Sequence, residues 1–168
     1  MAAPEAVVFD AYGTLFDVDA AMRRDASRLG PRWEALSAEW RAKQLEYSWV
    51  RSLTGAAHYE NFWLCTRDAL HVVFARHGIA DAALEKALMD AYLTLPAYPE
   101  VPEMLAAIRR RGIAVAILSN GTPGMLADAI EAAGIAPLVD EVLSVESVGV
   151  FKPDPRVYRL ATRQFGCS

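Results

Sequence analysis

Cysteines and long apolar runs are scarce in this sequence, and its 21 acidic residues outnumber its 17 lysines and arginines. The two cysteines, Cys65 and Cys167, cannot build a disulfide framework and do not form a Cys-x-x-Cys pair. The net charge is −4, which argues against a surface that binds nucleic acid. No uninterrupted apolar run approaches the roughly 20 residues that a membrane-spanning helix needs, so we expect no membrane contact. An anionic partner would have to be attracted by a local cluster of positive side chains.

The N-terminal segment and the composition favour an ordinary folded protein of the cytoplasm. Residues 1–5 lack a basic stretch followed by an apolar one, so we expect no signal peptide. The 168 residues suit one domain, or a compact domain that carries an insertion. With 54% apolar and 23% charged residues, the chain does not match a disordered, collagenous or coiled-coil protein.

Three short apolar runs, at residues 6–9, 114–118 and 141–143, each end in a small polar residue. The first two runs are continuous and rich in β-branched side chains. Such runs are typical of strands that are buried on both faces of a parallel sheet. We therefore expect three parallel strands, with the first two buried on both sides.

Helix boundary signals separate these runs. Each signal is a proline in the first turn of a helix and a glycine just past its end. The three helices predicted in this way are delimited by Pro102 and Gly112, by Pro123 and Gly134, and by Pro155 and Gly166. Alternation of strands and helices predicts an α/β fold, in which right-handed crossovers connect the parallel strands.

Residues 18–96 have a different character. This stretch carries all four tryptophans and lacks a convincing strand pattern, whereas residues 36–53 and 66–77 show helical periodicity. We interpret it as a helical cap inserted into the α/β core, which is then formed by residues 1–17 and 97–168. A strand within residues 36–77 would contradict this division.

Polar side chains follow the predicted strands where a ligand is expected. Ligands of open α/β sheets bind outside the carboxyl ends of the strands, and Asp10, Ser119, Asn120 and Lys152 all come after a strand. The Asp10 carboxylate is a potential nucleophile, and a lysine beside it can keep it ionised and stabilise developing negative charge. Taken singly, the same residues also suit ordinary turns around Gly13 and in residues 119–121, and a surface lysine.

These residues belong to longer motifs that resemble a known family. Residues 10–17 resemble the first motif of the haloacid dehalogenase superfamily, residues 118–121 the second and residues 151–154 the third. Residues 40–47 are similar to the cap helix of the L-2-haloacid dehalogenases themselves. The resemblance implies a Rossmann-like core with a helical cap, which hydrolyses (S)-2-haloalkanoic acids to (R)-2-hydroxy acids through an aspartyl ester. The implied partner is a small halogenated carboxylic acid.

One position distinguishes two chemistries within this superfamily. The phosphate-transferring members resemble Asp-x-Asp, where the second aspartate protonates the leaving group beside a magnesium ion. Tyr12 stands at that second position here, and a phenol cannot replace an acid of pKa near 4 or act as a carboxylate ligand. Halide leaves without a proton, so the dehalogenase interpretation needs no metal and no cofactor. A magnesium-dependent phosphatase is the alternative.

The resemblance also implies a set of site residues. Arg41 is the implied cation for the substrate anion or the departing halide, although an arginine that extends past apolar cap residues is the plainer interpretation. Core packing is likewise the plainer role for Phe62 and Tyr158. The implied catalytic residues are Asp10, Thr14, Lys152 and Tyr158; the implied substrate-binding residues are Ala11, Tyr12, Arg41, Leu45, Phe62, Ser119 and Asn120.

The sequence stops soon after the helix that Gly166 closes, where the alternation predicts another strand. We therefore expect a C-terminally truncated core whose uncovered sheet edge lowers its stability. In the resembled family a further strand carries a fourth motif that positions the hydrolytic water, so such a chain is expected to stall as an ester on Asp10. A non-catalytic fragment or interaction module is the alternative from another functional class, and a homodimer stays open as the assembly.

Overall fold

The computed structural model describes residues 4–166, which form three strands and eight α-helices. The strands are β1 (Ala6–Phe9), β2 (Ala114–Ser119) and β3 (Glu141–Ser144). The helices are α1 (Ala20–Arg24), α2 (Ala26–Leu29), α3 (Trp33–Leu53), α4 (Phe62–Arg76), α5 (Ala82–Leu93), α6 (Val101–Arg110), α7 (Pro123–Ala132) and α8 (Pro155–Phe165).

The three strands form one parallel sheet in the order β1-β2-β3. Val8 pairs with Ala116 on one side of β2, and Ile117 pairs with Val142 on the other. Because the strands run in the same direction, their carboxyl ends meet at one edge of the sheet, where the site residues follow. The predicted α/β fold with a parallel sheet is confirmed.

The expected burial of the first two strands is right for β2 and wrong for β1. Residues 115–119 of the central strand β2 are buried, because neighbouring strands and helices cover it on both sides. Strand β1 lies at an edge of the sheet formed by the described residues, and Val8 is 38% exposed. An apolar run of four residues does not show whether its strand lies at the centre or at the edge of a sheet.

The three helices predicted from proline and glycine signals are present as α6, α7 and α8. Thr122 caps α7, since its Oγ1 accepts a hydrogen bond from the Met125 amide at 3.1 Å. Asp154 caps α8 in the same way, and its Oδ1 accepts from the Arg156 amide at 2.8 Å. Such caps satisfy amides that the helix itself leaves without partners. On α8, Val157 is the one residue that is buried among those described.

Helices α1 to α5 occupy the stretch between β1 and α6, and residues 18–96 contain no strand. The two helices expected at residues 36–53 and 66–77 are present as α3 and α4, and each begins earlier than predicted. Asn61 sets the start of α4, because its Oδ1 accepts a hydrogen bond from the Leu64 amide at 3.0 Å. The division into core and cap domains stays a prediction.

None of the helices in residues 4–166 is both long enough and apolar enough to span a membrane.

Candidate active site

Asp10 and Lys152 form an ion pair at the carboxyl ends of the strands. Lys152 Nζ donates to Asp10 Oδ1 at 2.5 Å and to the Leu118 carbonyl at 2.9 Å. Asn120 Oδ1 accepts a hydrogen bond from the Lys152 amide at 2.9 Å, which fixes the backbone of the lysine. Strands β1 and β2 and the loop after β3 thus meet at one ion pair, as the sequence predicts for these residues.

The loop after β2 is held by its own hydrogen bonds. Ser119 is buried, and its Oγ accepts from the Gly121 amide at 3.1 Å. Ser144, at the end of β3, donates through its Oγ to the Gly121 carbonyl at 2.7 Å. These bonds keep Asn120 in place to receive the Lys152 amide, so the polar residues of this loop support the ion pair.

Gly121 is predicted to be intolerant of a side chain because of its contact with the Tyr12 ring. An added Cβ would lie 2.8 Å from Tyr12 Cε2 and 3.3 Å from the Leu126 side chain. We expect Gly121→Ala to lower the free energy of unfolding by about 1–3 kcal/mol, as overpacking in a core does. Gly124→Ala is the matched control, since its Cβ would meet only Thr122 Oγ1, at 3.9 Å. Equal thermal unfolding midpoints for the two variants would contradict this contact.

Asp10 is followed by a tight turn that places backbone groups beside its carboxylate. The Ala11 carbonyl accepts from the amides of Leu15 at 2.8 Å and Phe16 at 3.0 Å. Gly13 has a φ of 85°, a conformation that glycine adopts without steric cost. The turn leaves the Tyr12 carbonyl facing helix α3, where it accepts a hydrogen bond from Arg41 Nη2 at 2.8 Å.

Helix α3 presents one face to the site. Arg41, Leu45, Trp49 and Leu53 recur every four residues, so their side chains lie on the same side of the helix, and all four line the cavity above Asp10. Arg41 places a cation at the inner end of this face, next to the turn that follows Asp10. The other three side chains are apolar. The face therefore combines one positive charge with an apolar wall.

Tyr12 forms the aromatic wall of the site. Its ring stacks on Tyr92 with 5.4 Å between centroids and contacts Phe62 at 6.0 Å. The side chain is 3% exposed, and among residues 4–166 no group hydrogen-bonds its hydroxyl. Burial raises the pKa of the Tyr12 phenol far above its ordinary value, so the phenol stays neutral at physiological pH. A phenol with so high a pKa is a much weaker proton donor than the carboxylic acid that a phosphatase would need at this position.

These residues surround a cavity of about 720 Å³. That volume is within the range of small-molecule sites, and the wall combines apolar side chains with a few convergent polar groups. The predicted site residues that line the cavity are Asp10, Tyr12, Arg41, Leu45, Phe62, Ser119, Asn120 and Lys152. Their convergence makes this cavity the candidate active site.

Three of the implied site residues are placed elsewhere: among the described residues, the cavity wall does not include Ala11, Thr14 or Tyr158. Ala11 is buried and contributes its carbonyl to the turn, whereas Thr14 is exposed on that turn. Tyr158 is 48% exposed. Lys152 lies in the loop before α8, which begins at Pro155, whereas Tyr158 lies within that helix.

Sequence reasoning did not assign several residues of the cavity wall. Trp49 continues the spacing of Arg41 and Leu45, a signal that was present in the sequence. Ser52 had no such signal: its Oγ accepts a hydrogen bond from the Phe151 amide at 3.0 Å, which links α3 to the loop before Lys152. The wall residues outside the predicted set are Trp49, Ser52, Leu53, Phe151, Pro153 and Asp154.

Two features near the site concern metals and charge. Within residues 4–166 no group of three or more histidine, cysteine, aspartate or glutamate side chains is arranged to hold a metal ion. The Arg156 guanidinium beside Asp154 and the helix amide that Asp154 caps lower the pKa of that carboxyl to about 2. Asp154 therefore carries a full negative charge at the rim of the cavity at any physiological pH.

Several known proteins with similar sequences or structures are named as dehalogenases. A family model described as haloacid dehalogenase-like hydrolase matches residues 4–168. The sequence is 43% identical over 157 residues to (S)-2-haloacid dehalogenase 1 of Pseudomonas sp. (strain CBS-3), a match that covers 93% of this chain and 68% of that protein. It is 44% identical over 161 residues to the (S)-2-haloacid dehalogenase of Pseudomonas sp. (strain YL), covering 95% and 68%.

Solved structures give the same result. The crystal structure of a dehalogenase matches with a TM-score of 0.95 and 41% identity, covering 100% of this chain and 74% of that one. The L-2-haloacid dehalogenase of Xanthobacter autotrophicus, with chloropropionic acid covalently bound, matches with a TM-score of 0.88 and 38% identity, covering 99% and 66%.

Proposed function

This chain belongs to the haloacid dehalogenase-like hydrolase family, and we propose that it hydrolyses (S)-2-haloalkanoic acids to (R)-2-hydroxy acids through an ester of Asp10. The observation that carries the proposal is the Asp10–Lys152 ion pair at the base of a largely apolar cavity, with Arg41 on its wall. A covalent chloropropionic acid adduct in the Xanthobacter autotrophicus relative supports an ester intermediate.

The first step is displacement of the halide by Asp10. Lys152 Nζ holds Oδ1, so Oδ2 is the oxygen that attacks the carbon bearing the halogen, from the side opposite the halogen. The new C–O bond forms as the C–halogen bond breaks, the halide leaves with the bonding electrons, and the configuration inverts. Arg41 and the apolar wall position the anionic substrate, which makes the displacement effectively unimolecular.

The second step is hydrolysis of the ester. Water attacks Cγ of the esterified Asp10, the negative charge moves to the carbonyl oxygen, and the bond from Cγ to the substrate oxygen then breaks. Lys152 lies where it stabilises that developing charge. The products are the hydroxy acid, a halide ion and a proton, and the Asp10 carboxylate is restored. Covalent catalysis thus divides one difficult displacement into two easier steps.

Stereochemistry provides the direct test of the first step. We expect release of chloride from (S)-2-chloropropionate with formation of (R)-lactate, and no reaction of the (R) enantiomer, because the attacking oxygen and the cation hold only one face of the carbon. Chiral chromatography of the product measures the outcome. Racemic or (S) product would rule out a single displacement by Asp10.

Isotope labelling tests the second step. In a single turnover in ¹⁸O-water, the hydroxyl oxygen of the product comes from Asp10, and the label enters the Asp10 carboxylate. We therefore expect unlabelled hydroxy acid and a mass increase on the peptide that contains Asp10. Label in the product of the first turnover would show that water attacks the substrate directly.

Metal independence separates this activity from the phosphatase alternative. A phosphatase of this superfamily would need a carboxylic acid where Tyr12 has a buried neutral phenol, and a phenol is neither a comparable acid nor a hard carboxylate ligand. We expect EDTA to leave the rate of halide release unchanged and added Mg²⁺ to produce no phosphate from p-nitrophenyl phosphate. Magnesium-dependent phosphate release would overturn the dehalogenase proposal.

Several finer assignments stay predictions. Thr14 and Tyr158 keep their implied catalytic roles as hypotheses, and Thr14→Ala and Tyr158→Phe measure them through the rate of halide release. The domain boundaries, the cytoplasmic location, the homodimer and the stall at the Asp10 ester expected of a truncated chain also stay predictions. Release of several halide ions per chain would contradict the stall, whereas a persistent adduct on Asp10 with one halide per chain would support it.

A further inference from the structure

Gln44 is a buried polar residue one helical turn from Arg41. It is 1% exposed, and its Oε1 accepts a hydrogen bond from Arg41 Nη1 at 2.6 Å. A glutamine amide that is removed from water needs partners for both of its ends, because an unpaired buried polar group is costly. The partners of Gln44 Nε2 therefore influence whether Oε1 or Nε2 faces the guanidinium.

Thr66, on helix α4, fixes the position of the Nε2 end of the Gln44 amide. Its hydroxyl donates to the Phe62 carbonyl at 2.7 Å, so its single proton is already engaged. Thr66 Oγ1 can therefore only accept from Gln44, and Gln44 Nε2 lies 2.6 Å from it. With Nε2 directed to Thr66, Oε1 is directed to the guanidinium. A flipped amide would bring its NH₂ group against the N–H donors of Arg41, and its oxygen against the Thr66 oxygen, whose only proton is already engaged.

Tyr92 completes the network but does not fix the orientation of the Gln44 amide. Its hydroxyl accepts from Gln44 Nε2 at 3.0 Å and donates to Gln44 Oε1 at 3.1 Å. Because a phenol both donates and accepts, Tyr92 can pair with either end of the amide. The amide orientation is therefore fixed from both ends, by the Thr66 oxygen, which can only accept, and by the Arg41 guanidinium, which can only donate.

The Arg41 guanidinium at the end of this network contacts the turn that follows Asp10. Arg41 Nη2 donates to the Tyr12 carbonyl, two residues after Asp10, at 2.8 Å. The bonds to Gln44 and Tyr12 engage two of the five N–H donors of the guanidinium, and Arg41 also lines the cavity. One long and otherwise mobile side chain is thus held at two points between α3 and the turn.

We propose that Thr66 and Gln44 are positioning residues, which orient the Arg41 guanidinium toward the substrate anion through the one-directional chain from the Phe62 carbonyl to Thr66, Gln44 and Arg41. The proposal rests on the proposed dehalogenase function for its kinetic consequence. A misplacement of a positioning group by about 1 Å costs roughly 100-fold in rate. These hydrogen bonds therefore increase the rate of the reaction by holding Arg41 in position, in addition to their contribution to packing.

The matched pair Thr66→Val and Thr66→Ser tests the orientation directly. Valine keeps the shape but removes the hydroxyl, so Gln44 Nε2 loses its acceptor on α4 and the amide is no longer held in place. We expect kcat/KM for (S)-2-chloropropionate to fall about 10-fold or more. Serine keeps the hydroxyl, and we expect a value within about 3-fold of the original protein. Equal kcat/KM for the two variants would overturn the proposal.

Gln44→Met, made in the original protein and in Arg41→Lys, shows whether Gln44 acts by positioning Arg41 or only by packing. Methionine has a similar length without polar atoms, and we expect a loss of roughly 10- to 100-fold in kcat/KM in the original protein. In Arg41→Lys, whose ammonium cannot reproduce the planar guanidinium fork, the same change should cost less than about 3-fold, because the two residues act together. Equal losses in both backgrounds would assign Gln44 to packing alone.

Ser48→Ala is the control on the same helix. Ser48 is fully buried and bonds only within α3, to the Leu45 carbonyl at 2.7 Å, among the described residues. We expect Ser48→Ala to leave kcat/KM within about 3-fold, which shows that loss of a buried polar group from α3 is not sufficient.

A crystal structure of Thr66→Val separates this proposal from the proposed function. If the original protein releases no halide, the proposed function fails, and the position of Arg41 in that structure still decides the inference. We expect Arg41 Nη1 to lose its bond to Gln44 Oε1 in the variant. An unmoved guanidinium with the bond intact would overturn the proposal even in an active enzyme.

Discussion

Asp10→Asn is expected to abolish turnover, with halide release from (S)-2-chloropropionate reduced by at least about 10⁴-fold, as loss of a covalent nucleophile is. The amide keeps the shape of the carboxylate, and its oxygen can still accept a hydrogen bond from Lys152. It lacks the negative charge that drives displacement of the halide. Ion-selective measurement of chloride over several hours provides the sensitivity that this reduction requires.

The stability of Asp10→Asn should differ little from that of the original protein. The Asp10 side chain is 38% exposed, so solvent screens its ion pair with Lys152, and such pairs contribute at most about 1 kcal/mol. Asp90→Asn is the matched control, because Asp90 forms an ion pair of the same 2.5 Å length with Lys86 on the surface. Full activity of Asp10→Asn, with its mass unchanged by deamidation, would exclude Asp10 as the nucleophile.

Lys152→Met is expected to lower kcat by roughly 10²- to 10³-fold, the usual consequence of removing one group that stabilises a developing oxyanion. The lysine donates to Asp10 Oδ1 and to the Leu118 carbonyl, and methionine can replace neither bond. Both the attack by Asp10 and the hydrolysis of its ester lose their cation. Steady-state kinetics with halide detection measures the effect.

Lys152→Met should also lower stability, in contrast to Asp10→Asn. Leu118 is 5% exposed, and the Lys152 ammonium is bonded to its carbonyl, so the substitution leaves a buried acceptor without that donor, at a cost of about 1–3 kcal/mol. Lys86→Met, which breaks the exposed ion pair with Asp90, is the control and should change neither kcat nor the unfolding midpoint. A Lys152→Met protein with undiminished kcat would remove the lysine from the mechanism.

The convergence of Asp10, Ser119, Asn120 and Lys152 could be predicted from the sequence. Parallel strands end at the same edge of a sheet, so residues that directly follow successive strands must lie near one another, although Asp10 and Lys152 are 142 positions apart. The helix caps were predictable for a similar reason, because a cap depends on neighbours within three residues. The same holds for the α3 face that Arg41 and Leu45 share.

Other features depend on how the elements pack against each other. The edge position of β1 exposes Val8, and Tyr158 on α8 is exposed and lies outside the cavity wall. Neither follows from the residue types at those positions. A short apolar run is compatible with a central strand and an edge strand, and helical spacing applies only to residues that are inside the same helix.

Local pattern thus determined the fold class, the proximity of Asp10 and Lys152, and the arginine-bearing face of α3. Only the tertiary structure decided that Arg41 reaches the Tyr12 carbonyl and that Gln44 is fixed by Thr66 and Tyr92. These bonds join side chains of different helices, and their geometry depends on the distances between helix axes. Spacing along one chain segment reports which residues share a face, whereas the partners of that face are determined by packing between segments.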